Sequence, residues 1–379
     1  MDRFRPPPVS AVEPALCKRS DGCGVRLDRA AAAAGETGWA ALDHELESYD
    51  PVAGKLLAWI RLPSWALAGQ QQLFVYYGNP STTGSEANPA GVWQGYLARW
   101  RLPDGSDATA SDRDLTAFNV QPGELLGSAA SLDGSGRLTL ADASWLDGLS
   151  TLTVQALVKP DASMIGNSAR ILAQGDDPTG EASLSLGYLA ETGDGVTNVV
   201  YAAFGGTGGE AVTFSRADQQ TNERQLIHAE WQSSEAPRLY LNGAAALPSS
   251  SQAGSGPPQV DGGPLEIGAG WTGLIDEVRL ADRALPAAWI ATEARNMLTP
   301  ELSHGLGEEE TAATLDSSRK LEQPLPRRRN DHLLTDRCPG APQGSSGGDR
   351  GRQPGRDRPD LRGGGRRALC FQRLLRGAR

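Results

Sequence analysis

The chain has 379 residues, a formal net charge of −10, 46 glycines and 25 prolines. That length leaves room for two domains with proper cores, and no run of about eighteen apolar residues exists to span a membrane as a helix. Charge is uneven: residues 1–311 hold 20 Lys and Arg against 39 Asp and Glu, whereas residues 312–379 hold 16 against 7. An acidic body excludes nucleic acid as its partner, because phosphate binding needs clustered Lys and Arg.

Residues 1–40 carry PPP, CKRSDGC and an alanine run without a clear period, and are expected to lack order. The first residues have no apolar core of signal-peptide length, so no export signal is expected in them. Strands are predicted at ALDHELESYDP (41–51), KLLAWIRLP (55–63) and QQLFVYYGNP (71–80), where Gly78-Asn79-Pro80 stops the ladder. Residues 91–124 are read as a linker. LLGSAASLDGSGRLTLAD (125–142) predicts two short strands around Asp133-Gly134-Ser135-Gly136. TLTVQALVKPD (151–161) alternates, with Leu152, Val154, Ala156 and Val158 on one face.

Further strands are predicted at 169–175, 182–190, 198–206, 210–217, 224–232, 264–270 and 274–282. APRLYLNGAAAL (236–247) reads as a hairpin, since Asn242-Gly243 supplies the two left-handed residues of a type I′ turn. About ten strands without intervening helices mean an all-β sandwich or barrel. After Leu285-Pro286, AAWIATEARNML predicts one short helix.

Two resemblances sharpen this reading. LDHELESYDPVAGKLLAWIRLPSWALAGQQQLFVYYGNP resembles the bacterial domain-of-unknown-function family 2341, with its acidic turn ending in Asp-Pro and its YYGNP strand end. The match covers about residues 42–87, as the C-terminal half of the family's pattern; SDGCGVRLDRAAAAAG (20–35) departs from its opening half. SLDGSGRLTL, LTVQALVKPD, RLYLNGA and GLIDEVRLADRALPAAWIATEA resemble the laminin-G-like branch of the concanavalin A-like lectin/glucanase superfamily, over about residues 125–297. The resemblance implies a jelly-roll sandwich of two antiparallel sheets, preceded by a small β domain at 41–90. An acidic linker (298–311) and a disordered tail (312–379) follow.

Asp276 and Glu277 are the obvious carboxylate pair for catalysis. Glucanases on this fold space their acid and nucleophile at i, i+2 or i+4 along one strand, which puts both on one face. Consecutive residues are expected to leave on opposite faces, and neither ELES (45–48) nor EWQSSE (230–235) offers the spacing on a convincing strand. No catalytic residue is therefore assigned and no enzyme is expected. Asp276 is expected to bind backbone or Arg279 or Arg283 near the strand end, with Asp282-Arg283 turning into the helix. A second reading makes Asp276 one ligand of a structural calcium ion, the only cofactor considered.

His44, His228, His304 and His332 are scattered, Cys17 and Cys23 lack metal-ligand spacing, and Cys338 and Cys370 lie in the tail; no metal site is assigned. GSGPP (254–258) and FGGTGGE (204–210) precede no helix and are not phosphate cradles. Trp93, Trp100, Trp145, Trp231 and Trp271 are glycan-platform candidates by residue type, each weighed against a place in the core.

The expected function is non-catalytic recognition or adhesion at the bacterial cell envelope, binding a glycan or a protein, with an extracytoplasmic location implied by the resemblance. The oligomeric state is left open. In some bacterial chains the same tandem precedes a MotA/TolQ/ExbB-type proton-channel segment, which makes the outer part of a biopolymer-transport protein the alternative; a glycoside hydrolase is the weaker one. The tail, with fifteen Arg and Lys320, reads as a plain solvated extension, as a disordered one that binds nucleic acid or acidic surfaces, or, together with residues 1–40, as codons out of frame with the body.

Overall fold

The computed structural model describes residues 26–30, 39–50, 55–62, 73–76, 87–175, 184–205, 210–254, 264–300 and 367–373. They lie in one unit made of residues 1–308 and 366–379. Its first part comprises β1 (Arg26–Ala30), β2 (Trp39–Ala41), β3 (His44–Asp50), β4 (Lys55–Leu62), β5 (Leu73–Tyr76) and α1 (Pro89–Val92). The strands that follow are β6 (Ala98–Trp100), β7 (Thr116–Phe118), β8 (Gln121–Glu124), β9 (Ser128–Asp133), β10 (Arg137–Leu140), β11 (Thr151–Pro160) and β12 (Ala169–Gln174). Next come β13 (Leu184–Glu191), β14 (Thr197–Phe204), β15 (Ala211–Ser215), β16 (Gln225–Gln232), β17 (Arg238–Leu241) and β18 (Ala244–Ala245). The chain closes with β19 (Pro248–Gln252), β20 (Leu265–Ile267), β21 (Thr272–Ala281), α2 (Ala287–Leu298) and β22 (Arg367–Arg373).

Two antiparallel sheets make the sandwich. One has the order β19-β15-β14-β13-β12-β20-β10-β7, the other β18-β17-β16-β11-β21-β9-β8 with β6 added to β21. Strand alternation fills the space between them: Val154, Ala156 and Val158 of β11, Leu184 and Leu186 of β13, and Ile275, Val278 and Leu280 of β21 all join one apolar core. Asn242 at φ 53° and Gly243 at φ 85° form the tight turn between β17 and β18, as the Asn-Gly pair predicts.

The outer face of the second sheet is also covered. Leu157 and Leu226, which point away from the first core, join Leu57, Trp59, Val92, Trp93, Tyr96, Leu126, Ala294 and Met297 in a second core. Strand β4, the turn after α1 and helix α2 supply that cover, which explains why β11 is buried on both sides along nearly its whole length. β4 pairs with β3 on one edge and with β22 on the other, and β1 pairs with β2 and β5.

The boundaries differ from expectation in three places. Residues 91–124 are not a linker, since β6, β7 and β8 lie within them and join the two sheets; strands of three or four residues are too short to show a period. β1 and β2 fall in the stretch expected to lack order. Within the tail, residues 367–373 form a strand, and the other expectations for the tail lie outside the described residues, as do Cys17, Cys23, Cys338, His304 and His332.

Candidate functional site

β21 carries an irregularity that its sequence does not announce. Its pairing with β11 slips between Gln155 and Leu157, and Glu277 opposite that slip sits in the left-handed region at φ 51°. This is a β-bulge, with one extra residue accommodated on one strand. Ile275 and Val278 still point into the sandwich, so both residues between them, Asp276 and Glu277, are left on the outer side. The expectation that their side chains part to opposite faces is wrong for this reason: the bulge cancels one step of the alternation.

Outward-facing residues then line up across the sheet by register. Arg99 of β6 opposes Arg279 of β21, Arg279 opposes Gln155 of β11, Gln155 opposes His228 of β16, and His228 opposes Tyr240 of β17. Two arginines directly opposed would repel. Glu277 resolves the conflict: its Oε1 accepts from Arg99 at 3.0 Å and its Oε2 from Arg279 Nε at 3.1 Å. The bulge is what delivers the carboxylate between them.

The covering elements complete the cluster. From β3, Glu45 accepts from Arg99 Nη1 at 3.1 Å and Glu47 from Arg99 Nη2 at 2.5 Å. Glu45 also accepts from Arg101 and from the Trp93 indole, and Glu47 from the Trp59 indole at 3.3 Å. From α2, Glu293 pairs with Arg279 and lies 3.2 Å from His228 Nε2. Trp59 and Trp93 pack at 5.3 Å between centroids, with Arg279 4.1 Å from one ring centre and 4.5 Å from the other. The side chains of Arg99, Arg279 and Glu277 are at most 2% exposed, so these ion pairs and cation–π contacts are largely withdrawn from water.

Acid outnumbers base here. Glu45, Glu47, Asp276, Glu277 and Glu293 face the buried Arg99 and Arg279, with Arg101 at the half-exposed rim. Among the described residues Asp276 has no direct guanidinium contact; its Oδ2 accepts from Leu126 N at 3.1 Å and its Oδ1 from Glu277 N at 2.7 Å. Burial, then the charges of Glu277 and Glu47, push its carboxyl well above the usual range. Burial also raises Glu47, against the pull of Arg99. Glu293 goes the other way: burial alone would raise it, but Arg279 and His228 hold it below its ordinary value.

The cluster settles several expectations about single residues. Asp276 binds backbone, not Arg279 or Arg283; Arg279 serves Glu277 and Glu293, and Arg283 donates to Gly95 O. Both Asp276 oxygens accept from backbone N–H donors. ELES does lie on a strand, β3, and its Glu45 and Glu47 both reach Arg99. Their i, i+2 spacing was the signal in the sequence. His44 and His228 are both buried; His44 Nδ1 lies 3.2 Å from Leu42 O.

Trp93, Trp100, Trp231 and Trp271 are core residues, each at most 2% exposed, which removes them as glycan platforms. Trp145 is half-buried under Arg113, whose guanidinium is 4.1 Å from its ring centre. Among the described residues the large aromatic side chain that faces water is Phe118, 58% exposed on the edge strand β7. It opposes Arg137 of β10, which stands 5.2 Å from the ring centre and pairs with Glu266 of β20 at 3.2 Å. Thr116 and Thr139 share this outward face. Nothing in the local sequence around Phe118 marks it as exposed, because β7 is only three residues long.

Comparison with known proteins places these parts. Residues 132–291 match the family described as the concanavalin A-like lectin/glucanases superfamily, and residues 22–98 match the Domain of unknown function (DUF2341). No curated protein matches the chain. Among solved structures it is similar to domain 4 of AbnA, a GH43 extracellular arabinanase from Geobacillus stearothermophilus, in complex with arabinotriose. There the identity is 17%, the TM-score 0.39, and the coverage 52% of this chain and 96% of that one. It is also similar to the ligand binding domain of botulinum neurotoxin serotype D in complex with N-acetylneuraminic acid, at 11% identity and TM-score 0.43, over 56% of this chain and 53% of the other. The binding domain of Paraclostridial Mosquitocidal Protein 1 is similar at 12% identity and TM-score 0.42, over 55% and 53%. The chain spans about half the length of these two binding domains. The chain therefore carries a DUF2341 segment followed by a concanavalin A-like, laminin-G-type domain.

Proposed function

We propose that the chain is a non-catalytic recognition module of the bacterial cell envelope that binds a glycan, on the outward face of the sheet that ends in β10 and β7. The observation that carries this reading is the patch formed by Phe118, Arg137 and Glu266: an exposed ring beside a charged pair, with Thr116 and Thr139 on the same face. A sugar ring stacks its C–H face on such an aromatic while neighbouring polar groups fix its hydroxyls.

The carboxylates support a non-catalytic role. A glycosidase needs two carboxyl groups about 5–9 Å apart flanking a bond in an open groove. Glu45, Glu277 and Glu293 are instead buried in ion pairs with arginine, and Glu266 in the patch is paired with Arg137. No helix among the described residues is long and apolar enough to cross a membrane. The reading places the module outside the cytoplasm, where envelope glycans are.

The test is binding of the full chain to an array of bacterial and host glycans and to soluble peptidoglycan fragments, with Phe118→Ala alongside. The expected result is a glycan-specific signal that falls about tenfold or more in the variant, as loss of a stacking contact implies, while its melting temperature stays within a degree or so. Absence of any glycan signal, or equal binding by Phe118→Ala, sinks the reading.

A further inference from the structure

We propose that the cluster between the DUF2341 segment and the sandwich is a proton-controlled latch, closed on acidification and loosened as pH rises. The inference starts from charge and geometry. Asp276 sits at the floor of the seam, 2% exposed, with two backbone N–H donors and, among the described residues, no guanidinium in direct contact. It faces Glu277 on its own strand, Glu47 from β3 and Arg99 from β6. Beyond these stand Glu45 from β3, Arg279 from β21, Glu293 from α2, His228 from β16 and Arg101 at the rim.

The guanidiniums are already committed. Arg99 is shared among Glu45, Glu47 and Glu277, and Arg279 between Glu277 and Glu293. A further negative charge on Asp276 would have to share Arg99 with three carboxylates that already hold it, and a buried charge without a guanidinium of its own is among the most costly groups a protein can hold. If β3 and β4 lift away, water reaches the seam and Asp276 ionises at its ordinary value. Docking is therefore linked to holding a proton. Each pH unit between the undocked and docked values weakens the docked state by up to about tenfold for one proton. Burial raises the Asp276 and Glu47 carboxyls in the same direction.

The latch differs from global unfolding because it concerns only the cover. It is tested by hydrogen exchange on the full chain at about pH 6 and about pH 9, with each amide corrected for its intrinsic rate. The readout is the protection of residues 55–62 relative to residues 152–158 in the sandwich core. The proposal expects that ratio to fall from the lower pH to the higher in the wild type, by up to about tenfold per pH unit over which Asp276 loses its proton, and to change little in Asp276→Asn. Glu47→Gln, which relieves the same excess from the other side of the seam, is expected to reduce the change and decides the matter if Asp276→Asn does not fold. An unchanged ratio in the wild type overturns the latch, and so does a wild-type fall that persists undiminished in the variants.

Discussion

The guanidinium of Arg279 lies 4.1 Å from the centre of the Trp59 ring, although the two residues belong to differently matched segments of the chain. Trp59 is 1% exposed and also touches Trp93. Trp59→Ala is expected to cost about 3–5 kcal/mol through lost burial and the cavity left behind, plus the cation–π contact. Urea denaturation checks it, with loss of the sandwich transition and the β4 transition together as the expected pattern. Separate transitions would show that the two segments fold independently.

Arg99 holds three carboxylates at once. Its replacement by Ala leaves Glu45, Glu47 and Glu277 facing one another and is expected to destabilise by about 3–5 kcal/mol or prevent folding at neutral pH. Arg99→Ala should recover stability relative to the wild type as the pH drops toward the carboxylate range, since protonation then removes the repulsion. Melting curves at a series of pH values read this directly.

Glu293 has the opposite sign to Asp276. Burial raises it, but Arg279 and His228 prevail and hold it low. A carboxylate held lower in the folded state contributes stability above its unfolded value and loses it as pH falls through the folded one. Glu293→Gln should therefore be less stable than the wild type at pH 7. Its acid limb should also be flatter below roughly pH 4.5, where carboxylates of ordinary pKa titrate.

Gly243 is held at φ 85°, and a Cβ there would meet the Ala294 side chain of α2 at 2.6 Å. Gly243→Ala is expected to cost more than about 1 kcal/mol, combining left-handed strain with displacement of the helix. Asn242→Ala should cost less than that in turn conformation, but it also removes the acceptor for Leu226 N at 2.9 Å. Thermal melts of the two variants side by side separate the contributions.

Much of the architecture could be read from residue order. Alternation in TLTVQALVKP gave the inward row of β11, Asn242-Gly243 gave its turn, and Leu285-Pro286 gave the start of α2. The cluster could not be read in the same way. It depends on register: Arg99, Arg279, Gln155 and His228 meet because β6, β21, β11 and β16 align at those residues. The bulge is equally hidden, because Glu277 takes a left-handed conformation with no glycine or asparagine to mark it. The tryptophans were legible only by type: a ring is buried or used, and packing decides which, between the sheets for Trp100, Trp231 and Trp271 and under β4 for Trp93.

The sharing of Arg99 and Arg279 across the seam bears on how such a chain can change over generations. A recombination that copied residues 98–299 without β3 and β4 would carry two arginines stripped of Glu45, Glu47 and the Trp59 ring. The product would start life with Leu157 and Leu226 stripped of the Leu57 and Trp59 that help cover them and with Arg99 short of two of its three carboxylates. The two segments are thus bound to travel as a pair, and a lineage that discards the first would have to rewrite the outer face of the second.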